Sequence, residues 1–326
     1  MQESLNIESG SVSKLVVIKD SVERHTLVWV IHHLICDNVS WLILKDDFDM
    51  AMKQVIARKS IQLMEKTTNF EVIVQETSDQ VIPTHIRTEW ERILGADSKE
   101  RFKNQMSSTL KMPFKTKIFE IDELKSGALL SFSKKKNYSL DTMMMLLFGR
   151  AMMRHNELEE VWISQELNGR DRYSDNVRLN QTVGWLTSIH PVHLKNKERL
   201  DEYLSTNHFT VDKTKAIGKY YELLHPTMET PNISFNYLGE MRELPDVLNK
   251  NDINRYDFFD EIALNVALVQ NKFTLVFLYK EHLDQSIDSL QTIIRNEIPK
   301  LEQEDEIEVF GLDNSSLVDL SELFKI

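Results

Sequence analysis

The chain has 326 residues, of which 51 are acidic and 39 basic, so its formal net charge is −12 at pH 7. Because binding to nucleic acid or to an anionic membrane surface needs a basic face, this charge argues against both kinds of partner. Hydrophobic residues make up 41% and charged residues 28% of the sequence, which is typical of a folded globular protein and excludes disorder, collagen and coiled coil. The length favours two lobes.

Glycine and cysteine are both scarce. Nine glycines provide little material for a Gly-rich phosphate-binding loop, and the single cysteine, Cys36, excludes an internal disulfide. His190 and His193 do not fit a standard zinc-ligand spacing, so no metal is expected. The first ten residues carry no apolar signal-peptide core, and every apolar run is far shorter than the roughly 20 residues of a membrane helix. We therefore expect a cytoplasmic protein that does not span a membrane.

The first predicted elements are a hairpin followed by helices. Short apolar runs rich in β-branched residues at 14–19 and 26–32 flank a polar stretch and predict two paired strands. Apolar residues at helical spacing then predict one helix over 40–57 and a second from 83 to about 106. Two adjacent histidines fall between the second strand and the first helix.

The second half of the chain alternates strands and helices irregularly. Strands are predicted at 115–121, 128–132, 161–166, 188–194, 232–238, 262–269 and 273–279, and helices at 137–155, 213–224 and 287–301. The strand 232–238 is expected to stop at Gly239, and the acidic segment 302–308 to form a solvated turn or face. Because strands and helices do not alternate strictly, the pattern indicates an α+β protein rather than a doubly wound sheet.

The segment HHLICDNVSW, residues 32–41, carries the most chemical information. An imidazole with an ordinary pKa of about 6.5 is the usual proton shuttle at neutral pH. Adjacent residues at the end of a strand point to opposite sides, so we expect one histidine to act as the proton shuttle and the other to pack against neighbouring residues. Asp37 lies four positions after His33 and is placed to brace the turn. Taken alone, this pattern is more often structural than catalytic.

Four segments together resemble the epimerization branch of the condensation superfamily of nonribosomal peptide synthetases. They are HHLICDNVSW (32–41), QELNGRD (165–171), TVGWLTSIHPV (182–192) and SFNYLG (234–239). The first resembles the HHxxxDG motif of the superfamily, and the others resemble the EGHGRE, TVGWFTxxYPV and FNYLG motifs of epimerization domains. The four segments occur in the family's order, so the resemblance covers almost the whole chain.

The resemblance implies a two-lobed fold like that of chloramphenicol acetyltransferase, with a tunnel between the lobes for a phosphopantetheine arm. The predicted domains are 1–125, a partial N-terminal lobe with the HHxxxD motif, and 126–326, a C-terminal lobe with the ELNGR, TVGWLT and FNYLG motifs. Family domains have more chain before the histidine motif. We therefore expect an incomplete N-terminal lobe in which Asp37 lacks its usual arginine partner.

The implied reaction is epimerization of the α-carbon of an aminoacyl or peptidyl thioester on a carrier protein, an isomerase step in antibiotic biosynthesis. Removing one α-proton and returning another to the opposite face needs two acid/base groups. The matching motifs assign these roles to His33 and Glu166, and an apolar tunnel would raise the pKa of Glu166. Asn236 or Tyr237 could donate a hydrogen bond to the enolate oxygen, although Tyr237 fits a packed strand aromatic equally well.

Several alternatives remain open on the sequence alone. Arg170 fits either a partner of Glu166 or a surface charge. Trp41 and Trp185 are expected as core anchors, and Gly184 and Gly239 as residues that permit tight turns. The chain could instead be a condensation-type acyltransferase that forms an amide bond with His33, or a catalytically silent carrier-binding remnant. In each case the implied partners are a peptidyl carrier protein and neighbouring synthetase domains, with no cofactor of the chain's own.

Overall fold

The computed structural model describes residues 4–19, 21, 24–95, 102, 114–170, 177–226, 230–244 and 261–310, with side chains as far as residue 301. The described residues form two compact units. Unit 1 comprises those within Met1–Pro83 and Asn168–Ser188, and unit 2 those within Thr84–Leu167 and Ile189–Ile326. Each unit is formed by two separate segments of the chain. The sequence instead predicts a single boundary after residue 125, and that boundary stays a prediction.

Unit 1 contains the predicted hairpin and two helices. Strands β1 (Ser13–Lys19) and β2 (His25–Ile31) pair antiparallel along their whole length, which confirms the hairpin. Helix α1 (Asn38–Ile56) confirms the first predicted helix, and α2 (Phe70–Ser78) follows it. A small core of unit 1 contains Ile73, Leu179 and Leu186, with Phe70 and Val177 packed against it.

A six-stranded sheet supports unit 2, with the strand order β3-β8-β7-β6-β4-β5. The strands are β3 (Phe114–Glu120), β4 (Glu160–Leu167), β5 (Ser188–Lys195), β6 (Ile233–Met241), β7 (Ile262–Val269) and β8 (Lys272–Lys280). Strand β6 pairs in parallel with both β4 and β7. This pairing brings the candidate residues Glu166 on β4 and Asn236 on β6 next to each other in the sheet. The predicted hairpin of β7 and β8 is confirmed.

The helices of unit 2 pack around an extensive apolar core. They are α3 (Thr84–Leu94), α4 (Glu123–Lys136), α5 (Leu140–Asn156), α6 (Leu200–Gly218), α7 (Tyr221–Leu224) and α8 (Asp284–Phe310). Helix α5 is buried at every residue from Thr142 to Met153. Its Met-rich stripe therefore serves packing, as the sequence predicts. No helix in the described ranges combines the length and hydropathy that crossing a bilayer requires.

Two predicted strands differ from the structure. The segment 128–132 is helical and belongs to α4, because Asp122 caps the helix through the backbone N–H of Lys125 and the buried residues recur at helical spacing, namely Ser126, Leu129, Phe132 and Ser133. Strand β6 continues past Gly239, which accommodates a β-bulge with a φ of +86°.

The remaining differences concern helix bounds. Helix α6 begins at Leu200, well before the predicted residue 213. The acidic segment 302–308 continues helix α8 and is not a turn. The predicted extension of the second helix to residue 106 falls mainly outside the described residues.

His190, on strand β5, is a fully buried histidine in unit 2. Its ring packs edge-on against Trp90 at a centroid distance of 6.3 Å. Neither ring nitrogen of His190 has a hydrogen-bond partner among the described residues. Burial lowers the pKa of His190 to about 3, and the positive charge of Lys215 acts in the same direction. The histidine is therefore neutral in the folded protein at neutral pH.

We predict that His190 makes unit 2 sensitive to acid. The folded-state pKa of His190 lies below the unfolded value of about 6.5, so the unfolded state takes up a proton first as the pH falls. The free energy of unfolding is therefore unaffected by this histidine above pH 6.5 and decreases as the pH falls towards 3. The free energy of unfolding of wild type minus that of His190→Leu should fall by up to about 1.4 kcal/mol for each pH unit in this range. Urea unfolding at several pH values measures it, with His85→Leu as a control at an exposed histidine in the same unit. A pH-independent difference would contradict the prediction.

Candidate active site

The two histidines of unit 1 lie in the turn that follows strand β2, not on the strand itself. His32 precedes a short 3-10 helix, His33–Ile35, and its Nδ1 accepts a hydrogen bond from the backbone N–H of Leu34 at 3.2 Å. The Nδ1 of His33 lies 2.9 Å from the carbonyl oxygen of Cys36. Because a carbonyl only accepts, Nδ1 of neutral His33 carries the proton and donates it, which leaves Nε2 as the basic nitrogen.

The ring of His33 is held from a second direction by an aromatic side chain. Trp185 stacks on it with a centroid distance of 5.4 Å and an interplanar angle of 8°. Among the described residues, nothing hydrogen-bonds Nε2 of His33, and the residue is exposed. The imidazole is therefore fixed in orientation while its basic nitrogen remains accessible.

Asp37 anchors the turn to the rest of unit 1. Its side chain is 2% exposed and forms a two-pronged ion pair with Arg170, in which Nη1 lies 2.8 Å from Oδ2 and Nη2 lies 3.1 Å from Oδ1. Asp37 also caps helix α1 by accepting the backbone N–H of Ser40 at 2.8 Å. Burial opposes ionisation of the carboxyl, but the hydrogen bonds from Arg170 and Ser40 hold its pKa below the ordinary value.

These contacts correct two expectations from the sequence. Asp37 does not lack an arginine partner, because Arg170 provides one from the ELNGR segment. Arg170 is not a surface charge either, because its side chain is only 10% exposed. Spacing within the sequence could not reveal this pair, since its members lie 133 positions apart.

The TVGWLT segment completes the environment of the turn. The backbone N–H of Gly184 donates to the Oγ of Ser40 at 3.0 Å, and that of Leu186 donates to Oδ2 of Asp37 at 3.2 Å. A Cβ at Gly184 would overlap the ring of Phe70, so this glycine permits close packing rather than the predicted tight turn. Residues from three of the four segments therefore lie together near His33 within unit 1, including Asp37, Arg170 and Gly184.

Trp41 and Cys36, close to the histidine turn, have the packing and burial of structural residues. Trp41 packs edge-on against Trp29 with a centroid distance of 5.8 Å. Cys36 is 1% exposed, and burial together with the charge of Asp37 raises the pKa of its thiol to about 12. The thiol therefore stays protonated at neutral pH and is a poor nucleophile.

Glu166 lies in unit 2, one residue before the end of strand β4, and is half-buried. The Nδ2 of Asn236 on β6 donates to Oε2 of Glu166 at 2.9 Å. The two residues are also direct partners in the parallel strand register. The sheet thus places one carboxylate oxygen next to a fixed amide donor. The raised pKa expected for Glu166 stays a prediction.

Tyr237 has a different environment from Asn236, the residue before it. Successive residues of a strand face opposite sides of the sheet, and Tyr237 packs against the large apolar core of unit 2. Burial raises the pKa of Tyr237 to about 12, with the negative charges of Asp141 and Glu240 acting in the same direction. Tyr237 is therefore a packed strand aromatic. Of the two candidate donors, Asn236 is the one that contacts Glu166.

Neither local arrangement is suited to a metal ion. Within the residues that the structure describes, no group of three or more His, Cys, Asp or Glu side chains is arranged to hold one. His33 and Glu166 fall in different units, and Asp171 lies outside the described residues. The candidate residues thus form one arrangement around His33 in unit 1 and another around Glu166 in unit 2.

The sequence model of the condensation-domain family matches residues 1–310. The chain belongs to the condensation-domain family. This match confirms the resemblance carried by the four segments at the level of the family. The matched range includes the histidine turn and the ion pair of Asp37 with Arg170, which are the parts of the site that the structure describes in unit 1.

Solved structures of several activities share the fold of this condensation-domain chain. The epimerization domain from the third module of tyrocidine synthetase B aligns with a TM-score of 0.71 and 19% identity, covering 92% of this chain and 74% of that chain. PapA2 acyl transferase aligns with a TM-score of 0.69 and 13% identity, covering 89% and 68%. The first condensation domain of the calcium-dependent antibiotic synthetase aligns with a TM-score of 0.66 and 10% identity, covering 88% of this chain and 66% of that chain. These likenesses confirm the predicted α+β, chloramphenicol-acetyltransferase-like fold.

Curated relatives of this condensation-domain chain are much longer proteins. Bacitracin synthase 2 of Bacillus licheniformis is 27% identical over 365 aligned residues, which cover 99% of this chain and 14% of that protein. Tyrocidine synthase 1 of Brevibacillus parabrevis is 25% identical over 263 residues, which cover 74% and 24%. The chain therefore spans less than a quarter of the length of these relatives.

Proposed function

We propose that the protein epimerizes the α-carbon of an aminoacyl or peptidyl thioester in nonribosomal peptide synthesis. The substrate is presented on the phosphopantetheine arm of a peptidyl carrier protein, and neighbouring synthetase domains deliver and receive it. His33 and Glu166 are the two acid/base groups. This assignment makes the protein an isomerase and places it in antibiotic biosynthesis.

The observation that carries this proposal is the placement of Glu166. Amide formation of the condensation type needs one base, for which His33 suffices, whereas inversion at carbon needs a second proton-transfer group. Glu166 is half-buried and its Oε2 accepts a hydrogen bond from Asn236. A carboxylate that is held in this way is oriented for proton transfer rather than mobile on a surface.

His33 supplies the second group in a defined tautomer. Its Nδ1–H is held by the carbonyl of Cys36, so Nε2 is the nitrogen that removes or returns a proton. Asp37 and Arg170 act through the turn and are positioning residues. Stacking by Trp185 restricts rotation of the imidazole.

The proposed reaction balances with these two groups alone. One base removes the α-proton, and the electron pair of the C–H bond moves into the thioester carbonyl to form an enolate. The conjugate acid of the other group then donates a proton to the opposite face of the α-carbon. After each inversion the two groups have exchanged protonation states, and they return to the starting states by exchange with water.

The test is chiral analysis of the amino acid released from a carrier protein after incubation with the enzyme. A panel of L-aminoacyl carriers should yield D-product with wild type. Glu166→Gln and His33→Gln should each reduce the rate of inversion by about 10²- to 10⁴-fold. The matched control is Glu160→Gln, which changes an exposed carboxylate on the same strand β4 and should leave the rate unchanged.

The other two functions predict different results in the same experiment. A condensation-type acyltransferase would form an amide when given a donor and an acceptor carrier, and Glu166→Gln would affect it only mildly. A silent carrier-binding remnant would bind the carrier without turnover. Either result, obtained with folded wild type, would contradict the proposed epimerization.

A further inference from the structure

Strand β7 contains one amide among apolar residues. Its sequence is IALNVALV, and Asn265 is the sole polar residue of the eight. Six of the other residues are buried, whereas Asn265 is half-buried. Strands in the middle of a covered sheet are normally continuous apolar runs, so a polar side chain at this position needs a physical reason.

The strand register places Asn265 in line with the Glu166 site. Glu166 on β4 is the partner of Asn236 on β6, and Asn236 is in turn the partner of Asn265 on β7. The irregularity between β6 and β7 begins only after Tyr237, so the register is regular at this level. Partner residues of adjacent strands share a face, and the three polar side chains therefore form one row.

No contact within the described part of the chain explains the amide of Asn265. No described residue forms a hydrogen bond with the side chain of Asn265, and the residue is partly accessible. Asn236 differs because its Nδ2 already donates to Glu166. Asn265 consequently presents the amide of this row that is available for a hydrogen bond to a bound molecule.

We propose that Asn265 is a catalytic residue whose side-chain N–H donates a hydrogen bond to the thioester carbonyl oxygen as that oxygen becomes the enolate oxygen. This inference rests on the proposed epimerization. Removing the α-proton moves negative charge onto the carbonyl oxygen, and a fixed donor at that oxygen stabilises the charge. No additional reactant is required, because the hydrogen bond strengthens without transfer of the proton.

The spacing of the strands suits this arrangement. Adjacent strands lie about 4.8 Å apart, so the backbones at Glu166 and Asn265 are separated by two such spacings, or about 10 Å. The two side chains stand on the same face of the sheet, on either side of Asn236. A substrate whose α-carbon lies within reach of Glu166 and whose carbonyl oxygen points towards β7 therefore directs that oxygen towards the amide of Asn265.

The first test replaces Asn265 with leucine, which has a similar shape and no donor. The rate of α-proton exchange on an L-aminoacyl carrier should fall by about 10²- to 10³-fold, mainly in kcat, while KM for the carrier changes little. Unfolding in urea should show that the variant is folded. Asn156→Leu, at an exposed residue near the end of α5, is the matched substitution and should leave the rate unchanged.

A second variant tests the charge rather than the shape. Asn265→Asp introduces a carboxylate beside the developing enolate and near Glu166. The exchange rate should fall at least about tenfold, and the pH of half-maximal rate should move upward because a like charge raises the pKa of Glu166. A purely structural asparagine would not produce this shift.

The outcomes separate this inference from the proposed function. If wild type shows no exchange on any aminoacyl carrier, the proposed epimerization fails and the inference fails with it. If wild type exchanges the α-proton, and folded Asn265→Leu or Asn265→Asp does so within about threefold of wild type with an unchanged pH profile, the role of Asn265 alone is overturned.

Discussion

Methionine in place of Arg170 is expected to lower the free energy of unfolding of unit 1 by about 3 to 5 kcal/mol. The reason is that the substitution leaves the carboxylate of Asp37, which is 2% exposed, without its compensating charge. Three hydrogen bonds from Ser40 and the backbone of Leu186 remain, but they do not neutralise the charge. The turn that holds His33 ends at Cys36, next to Asp37, and should loosen together with the start of α1.

Hydrogen exchange of the backbone amides of α1 measures this loss in unit 1 separately from unit 2. Arg170→Met should accelerate exchange in α1, and the double variant with Asp37→Asn should recover part of the protection, because asparagine still caps the helix and carries no charge. Arg92→Met is the control, since Arg92 is 64% exposed in a surface pair and should cost less than about 1 kcal/mol. Equal protection in Arg170→Met and wild type would contradict the account of the ion pair.

A similar loss is expected in unit 2 when Glu297 is replaced by alanine. Glu297 and Arg150 are each 1% exposed, and Nε of Arg150 lies 3.2 Å from Oε2 of Glu297. Arg154 binds the other oxygen, Oε1, at 2.6 Å. Removing the carboxylate leaves the buried guanidinium without an anion, which should cost about 3 to 5 kcal/mol of the free energy of unfolding.

Urea unfolding of a set of variants tests this second pair. Glu297→Ala combined with Arg150→Met should be more stable than Glu297→Ala alone, because no buried charge is then left uncompensated. Glu120→Ala, at a side chain that is 64% exposed, should change the midpoint little. A double variant less stable than the single one would show that Arg150 contributes mainly through its bonds to the carbonyls of Lys197 and Glu198.

Local periodicity predicts most of the secondary structure, and its failures have local causes. The hairpins and helix α5 follow directly from alternation, turn residues and apolar spacing. The segment 128–132 is apolar over too short a run to distinguish strand from helix, and the capping residue Asp122 decides for a helix. Gly239 does not end β6, because a glycine with positive φ also fits a bulge.

The site illustrates a different limit of sequence reasoning. The four segments identify the family and the candidate residues, but they do not show which side chains touch. The pairing of Asp37 with Arg170 joins residues far apart in sequence, so only the fold reveals it. Asn265 carries a detectable signal as the sole polar residue of an apolar strand, yet its place in line with Glu166 depends on strand register.

The central claim is that His33 and Glu166 act on opposite faces of one α-carbon. Incorporation of deuterium at that carbon in D₂O, followed by chiral analysis of carrier-bound L- and D-substrates, tests it most directly. The account predicts that wild type converts either enantiomer to a deuterated mixture of both, and that His33→Gln and Glu166→Gln each lower the rate of inversion by about 10²- to 10⁴-fold. Inversion by folded Glu166→Gln at close to the wild-type rate, or amide formation by wild type without any deuterium at the α-carbon, would contradict it.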